Sequence, residues 1–147
     1  MLVIYAAKSC EKITTTIAQG AQAVQSKITQ NAAELTGEKN AVCLVKSPFG
    51  GELKAIENQV AGKSIYLIGV GFSFNDMRKA SDSLTKKGAK VENSLCLNRT
   101  STLPFGAEVG ETELVRLKAF GERIATSITG LRNVQENEKN RIKNYQQ

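Results

Sequence analysis

Histidine is absent from this 147-residue chain, which excludes His-based zinc sites and catalysis of the Ser-His-Asp or Cys-His kind. Cysteine is scarce and odd in number. Cys10, Cys43 and Cys96 contain no CxxC pair, which argues against a disulfide framework and suits a reducing compartment. No apolar run approaches the roughly 20 residues needed to cross a bilayer, and the N-terminus lacks the basic, apolar and small-residue regions of a signal peptide. The expectation is a cytoplasmic protein with no membrane association. Carboxylates are scattered and form no pair assignable to acid–base hydrolysis. Glu52, after a glycine pair, is the acid nearest to any ligand loop, and capping a short helix would equally explain it.

Apolar residues at 41% and charged residues at 23% are ordinary for a globular domain, and this length buries roughly 70% of the unfolded surface in one core. The net charge is +6, a balance that favours acidic partners. Much of it lies in Arg78, Lys79, Lys86, Lys87 and Lys90 and in the C-terminal tail. Lysines so placed usually form the solvated face of an amphipathic helix, so nucleic-acid binding is not expected.

Apolar runs and helical periodicity alternate along the chain. "MLVIYAA" (1–7), "AVCLVK" (41–46) and "SIYLIGVG" (64–71) read as strands buried on both faces. "AKVENSLCL" (89–97) reads as a fifth strand with better alternation. Ile13, Ile17, Ala21 and Val24 recur at helical spacing, as do Leu53, Ile56 and Val60, then Met77, Ala80 and Leu84. Arg78, Asp82 and Lys86 mark the outer face of this third helix. Ser73 or Asn75 is suited to cap it, and Gly62 and Gly88 to close the second and third helices. Leu114, Leu117, Phe120, Ile124, Ile128 and Leu131 form the stripe of a long last helix. The segment 26–40 is the least legible: "KITQNAAEL" reads as a weak edge strand and 36–40 as a turn. Residues 1–134 form one domain in this reading, and 135–147 a polar tail, either a frayed helix or disordered.

This alternation predicts an α/β doubly wound parallel sheet of five strands in a three-layer sandwich. Right-handed crossovers then bring the loops at 7–10, 47–51 and 71–75 to one sheet edge, where such folds bind ligands.

The chain resembles the flavodoxin family from Met1 to about Leu131. "VIYAAKS", "EKITTTIAQG", "SPFGGEL", "GKSIYLIGVGFS", "LTKKGAKV" and "VGETELVRLKAFGERIA" carry the likeness by their order and spacing. The resemblance implies a flavodoxin-like fold and electron transfer or oxidoreductase chemistry through FMN. Its cofactor-binding residues would be Lys8, Ser9 and Cys10 at the phosphate, Ser47, Pro48, Phe49, Gly50 and Gly51 in the first flavin loop, and Gly71, Phe72 and Ser73 in the second. Phe49 is the stacking candidate. Phe72 or Phe74 would stand in for the tyrosine common in the second loop, and covering the sheet end is the competing role for Phe49 and Phe72.

The family's phosphate loop reads T/S-x-T-G-x-T, whereas Ala7-Lys8-Ser9-Cys10 is two residues shorter and lacks the glycine and both threonines. Losing two or three charge-assisted hydrogen bonds of about 1.5–3 kcal/mol each lowers affinity roughly a thousandfold or more. Lys8, Lys12, Ser9 and the helix N-terminus are the available compensation. Two functions therefore stand side by side: FMN-dependent redox chemistry at a modified site, and a flavodoxin-like module without cofactor that acts as an interaction or structural subunit. Either implies a protein partner, an acidic one since the chain is basic where flavodoxins are acidic, or a homodimer through the loop 98–110. A third reading makes Cys10 a reactive thiol, since a helix N-terminus and two lysines favour its thiolate. Cys43 and Cys96 read as core.

Overall fold

The computed structural model describes residues 1–6, 11–46, 51–98 and 109–145, with side chains described up to residue 130. The β-branched and leucine-rich runs form five strands: β1 (Leu2–Ala6), β2 (Ser26–Thr29), β3 (Asn40–Val45), β4 (Ser64–Val70) and β5 (Lys90–Leu97). All pair in parallel, in the order β2-β1-β3-β4-β5. Every residue of β1 is buried, and β3 and β4 are buried after their first residue. These three strands are covered on both faces, and no polar alternation is possible in them. The edge strands β2 and β5 retain exposed residues. A register irregularity at Ile65/Tyr66 breaks the pairing of β4 with β5.

Four α-helices flank the sheet: α1 (Glu11–Gly20), α2 (Gly51–Glu57), α3 (Phe74–Lys86) and α4 (Glu111–Tyr145). One core layer joins Leu2, Ile4, Val42 and Ile68 of the sheet to Ile13 and Ile17 of α1 and to Leu117, Phe120 and Ile124 of α4. On the other face, Val3, Tyr5, Cys43 and Leu67 meet Leu53 and Ile56 of α2 and Met77, Ala80 and Leu84 of α3. The doubly wound α/β three-layer sandwich expected from the sequence is present.

Local chemistry explains the boundaries. Ser73, rather than Asn75, caps α3 in a reciprocal capping box with Asp76. Gly62 and Gly88 turn the chain at φ 77° and 93°, a left-handed conformation costly for other residues. Val60 is buried but lies beyond the end of α2. Two segments refine the sequence reading. "KITQNAAEL" is a strand only as far as Thr29; Asn31 then accepts from the Ala33 N–H and starts a 3-10 helix, Ala32–Gly37. That turn drives Leu35 into the core, fully buried, and such burial outweighs the weak strand propensity. The second concerns the C-terminal segment, which continues α4 as helix to Tyr145. Among the described residues, no helix is long and apolar enough to cross a membrane.

Candidate functional site

The strand order reverses between β1 and β3. From β1 the chain crosses one face through α1 to reach β2, and then returns over the other face through the 3-10 helix to β3. The connections leaving Ala6, Val45 and Val70 therefore emerge side by side from adjacent strands at the carboxyl edge of the sheet. Crevices at such reversals are the usual ligand sites of open α/β sheets.

Of the residues expected in this site, Lys8, Ser9, Cys10, Ser47, Pro48, Phe49 and Gly50 lie outside the described residues. Gly51 opens α2, is exposed, and has no atom within 4 Å of where a Cβ would stand. Gly71 adopts φ 73°, and its N–H donates to the Leu97 carbonyl at 2.7 Å. Ser73 is exposed, but its Oγ accepts from the Asp76 N–H at 3.1 Å and its own N–H donates to Asp76 Oδ2 at 3.1 Å. These bonds hold the Asp76 carboxyl below the usual carboxylate range.

The two phenylalanines of the second loop part company. Phe72 is turned into the core beside Gly69 and Met77, so closely that a Cβ on Gly69 would stand 2.5 Å from its ring. Phe74, at the start of α3, is 83% exposed. The structure thus brings Gly51, Gly71, Ser73 and Phe74 to the carboxyl edge and packs Phe72 beneath it.

Three carboxylates from the first turns of the following helices tie down the connections at this edge. Glu52 Oε2 accepts from the Lys46 N–H at 3.0 Å across the β3–α2 connection. Asp76 does the same for Ser73. Glu113, only 8% exposed, accepts from the Asn98 N–H at 2.9 Å and from Arg116 Nη1 at 2.9 Å, which closes the base of the long β5–α4 connection. Glu113 escaped the sequence reading; an acid in the first turn of a helix is its only local signal. Glu11 is exposed and is the first residue of α1, the helix that follows β1.

Burial pushes the Cys43 thiol up to about 12, which leaves it protonated and inert. Cys96 is half-buried rather than fully core, and burial raises it too, against the opposing pull of Arg116. Tyr5 is raised by burial first and then by Glu52 and Cys43. An open depression of about 330 Å3 lies at the opposite, amino edge of the sheet, lined by Met1, Val3, Lys27, Glu34, Thr36, Gly37 and Glu38. Its charges already pair internally, Lys27 with Glu34 at 3.1 Å and the Met1 amine with Glu38 at 3.6 Å.

No family model matches the sequence, and no curated protein matches it. Solved structures do. A flavodoxin-like domain from Synechococcus sp. superposes with a TM-score of 0.61 at 11% identity, over 88% of this chain and 99% of the other. The two-electron reduced flavodoxin of Megasphaera elsdenii gives 0.57 at 14% identity, over 84% and 99%. A short-chain flavodoxin associated with a PDU bacterial microcompartment gives 0.51 at 18% identity, over 84% and 97%. With the strand order, the helix layers and these superpositions in agreement, the chain has the flavodoxin-like fold.

Proposed function

We propose that this flavodoxin-like module binds FMN at the carboxyl edge of its sheet, between the connections that follow β1, β3 and β4, and acts in electron transfer. The observation that carries the reading is the arrangement at the strand-order reversal. Gly51 leaves its surroundings open, Gly71 turns the second loop, and Phe74 presents an aromatic ring to solvent. A planar, apolar ring system is the chemistry that such an edge accommodates. Bound flavin supplies one- and two-electron transfer, and the protein's part is to hold the ring, exclude water and offer a face to a partner.

The phosphate end fits less well. The α1 N-terminus carries the positive end of the helix dipole, and Lys12 is exposed beside it, but Glu11 brings a carboxylate to the same place. A carboxylate beside a phosphate opposes it, and the shortened "AAKSC" loop carries one hydroxyl where the family pattern has several. Ring contacts therefore carry most of the affinity.

The experiment is a titration of the purified protein with FMN and with riboflavin, read by quenching of flavin fluorescence. The expected result is binding of both, with a preference for FMN of about tenfold or less, the equivalent of at most one ordinary hydrogen bond. Replacing Glu11 with Gln should widen that preference. If neither flavin binds, the second reading stands: a flavodoxin-like module without cofactor that serves as an interaction or structural subunit. The missing glycine and threonines of the first loop are what favour it.

A further inference from the structure

We propose that the outward face of α3, continued through Lys87 to Lys90, docks an acidic protein surface. Arg78, Lys79, Lys86, Lys87 and Lys90 are all exposed along this stretch. Residues 74–90 hold these five cations against two carboxylates, a net +3 and half of the chain's +6. Arg78, Lys86 and Lys87 form no ion pair among the described residues. Asp82 lies one turn from both Arg78 and Lys86 and pairs with neither. Asp76, the acid nearest Lys79, is committed to the helix cap. Lys90 is 77% exposed even though it meets Glu92 at 3.4 Å.

Arg78, Asp82 and Lys86 are four residues apart and so share one stripe of α3, about 12 Å long. Exposed cations without partners raise the local potential and steer oppositely charged proteins into brief, salt-sensitive encounters, which need little buried area. Asp82 decides between a protein and a nucleic acid. A phosphate chain would bring negative charge to every turn of the stripe, Asp82 included, whereas a folded partner can set a cation there between two carboxylates. Phe74, four residues before Arg78, stands on the same row at its cleft end and is 83% exposed, so a base would find one ring where binders of single strands stack successive bases on several. This inference concerns the helix face and holds whether or not flavin binds at the cleft.

The test is NMR titration of the 15N-labelled full chain with a synthetic helical peptide presenting Glu, Lys and Glu at i, i+4 and i+8. A peptide of the same composition in scrambled order and a single-stranded oligonucleotide serve as comparisons. The expected result is saturable shifts at the amides of α3, weakened at least about tenfold by the double variant Arg78→Glu, Lys86→Glu. Asp82→Lys should weaken the ordered peptide and strengthen the oligonucleotide. All three positions are exposed, so unchanged amide spectra outside α3 will show that the variants fold. The proposal is overturned if the α3 amides do not move, if the scrambled peptide binds as well, if Asp82→Lys strengthens the ordered peptide, or if the oligonucleotide binds the native chain more tightly.

Discussion

Two glycines set how closely α1 and α4 approach. A Cβ on Gly20 would stand 2.2 Å from the Lys118 carbonyl oxygen, and one on Gly121 would stand 2.5 Å from that of Ile17. Both contacts are with backbone, which cannot rotate away as a side chain can. Alanine is the better helix former by about 1 kcal/mol, but overpacking at such a contact costs about 1–3 kcal/mol. Gly121→Ala should therefore lower the urea midpoint, and an unchanged or raised midpoint would show that the helices can part freely. Asp76 gives a second prediction at this scale. Its folded pKa is depressed by Ser73, so its stabilisation is present above the unfolded value near 4 and is lost as pH falls through the folded one. Urea midpoints measured from pH 6 down to pH 2 should fall less steeply for Asp76→Asn than for the native chain.

The carboxyl-edge connections share one construction: an acid in the first turn of the following helix receives a backbone N–H from the end of the preceding strand or loop. Glu52, Asp76 and Glu113 do this for Lys46, Ser73 and Asn98. Glu113 is the most buried of the three and also engages Arg116. Glu113→Ala would leave the Asn98 N–H without its acceptor and should cost about 1–3 kcal/mol, read from denaturant unfolding. If the cost is nil, water replaces the carboxylate. At the amino edge the logic reverses. Lys63, 9% exposed, donates to the carbonyls of Thr36 and Glu38 at the end of the 3-10 helix, where free C=O groups attract a cation. Only the Ser73–Asp76 cap lies at a spacing the sequence displays; the Glu52, Glu113 and Lys63 contacts join residues six or more apart and could not be read from it.

Across the whole molecule, stability should be graded from centre to edge. β1, β3 and β4 are paired on both sides and covered on both faces, whereas β2 and β5 are, among the described residues, the ends of the sheet and carry exposed residues. Hydrogen exchange should be slowest in the central three strands and faster in β2 and β5, since edge amides open without disrupting the core. Equal protection in β2 and β4 would contradict this gradient. At the same scale acids recur at one edge. Glu11, Glu52, Asp76, Glu111 and Glu113 belong to first turns at the carboxyl edge, whereas the amino edge mixes Lys39, Lys86, Lys87 and Lys90 with Glu34 and Glu38. Composition reports only the sum of these charges.

The alternation of buried runs and amphipathic periods was sufficient by itself for the class of fold, the parallel sheet, strands β1, β3, β4 and β5, four α-helices, and the cores of these elements. Those features depend on residue type and spacing within about a dozen neighbours, which the sequence displays directly. Segment 26–40 was legible only in part, because a short edge strand and a 3-10 helix carry little periodic signal. Only the tertiary structure decided which phenylalanine of the second loop faces solvent, since Phe72 and Phe74 are equally apolar and Gly69 alone makes room beneath the sheet for one of them. It also decided that Asp82 leaves its neighbouring cations unpaired, and that Glu113 closes a loop whose ends are fifteen residues apart. Contacts of this kind depend on where the chain returns to itself, and no local pattern encodes that.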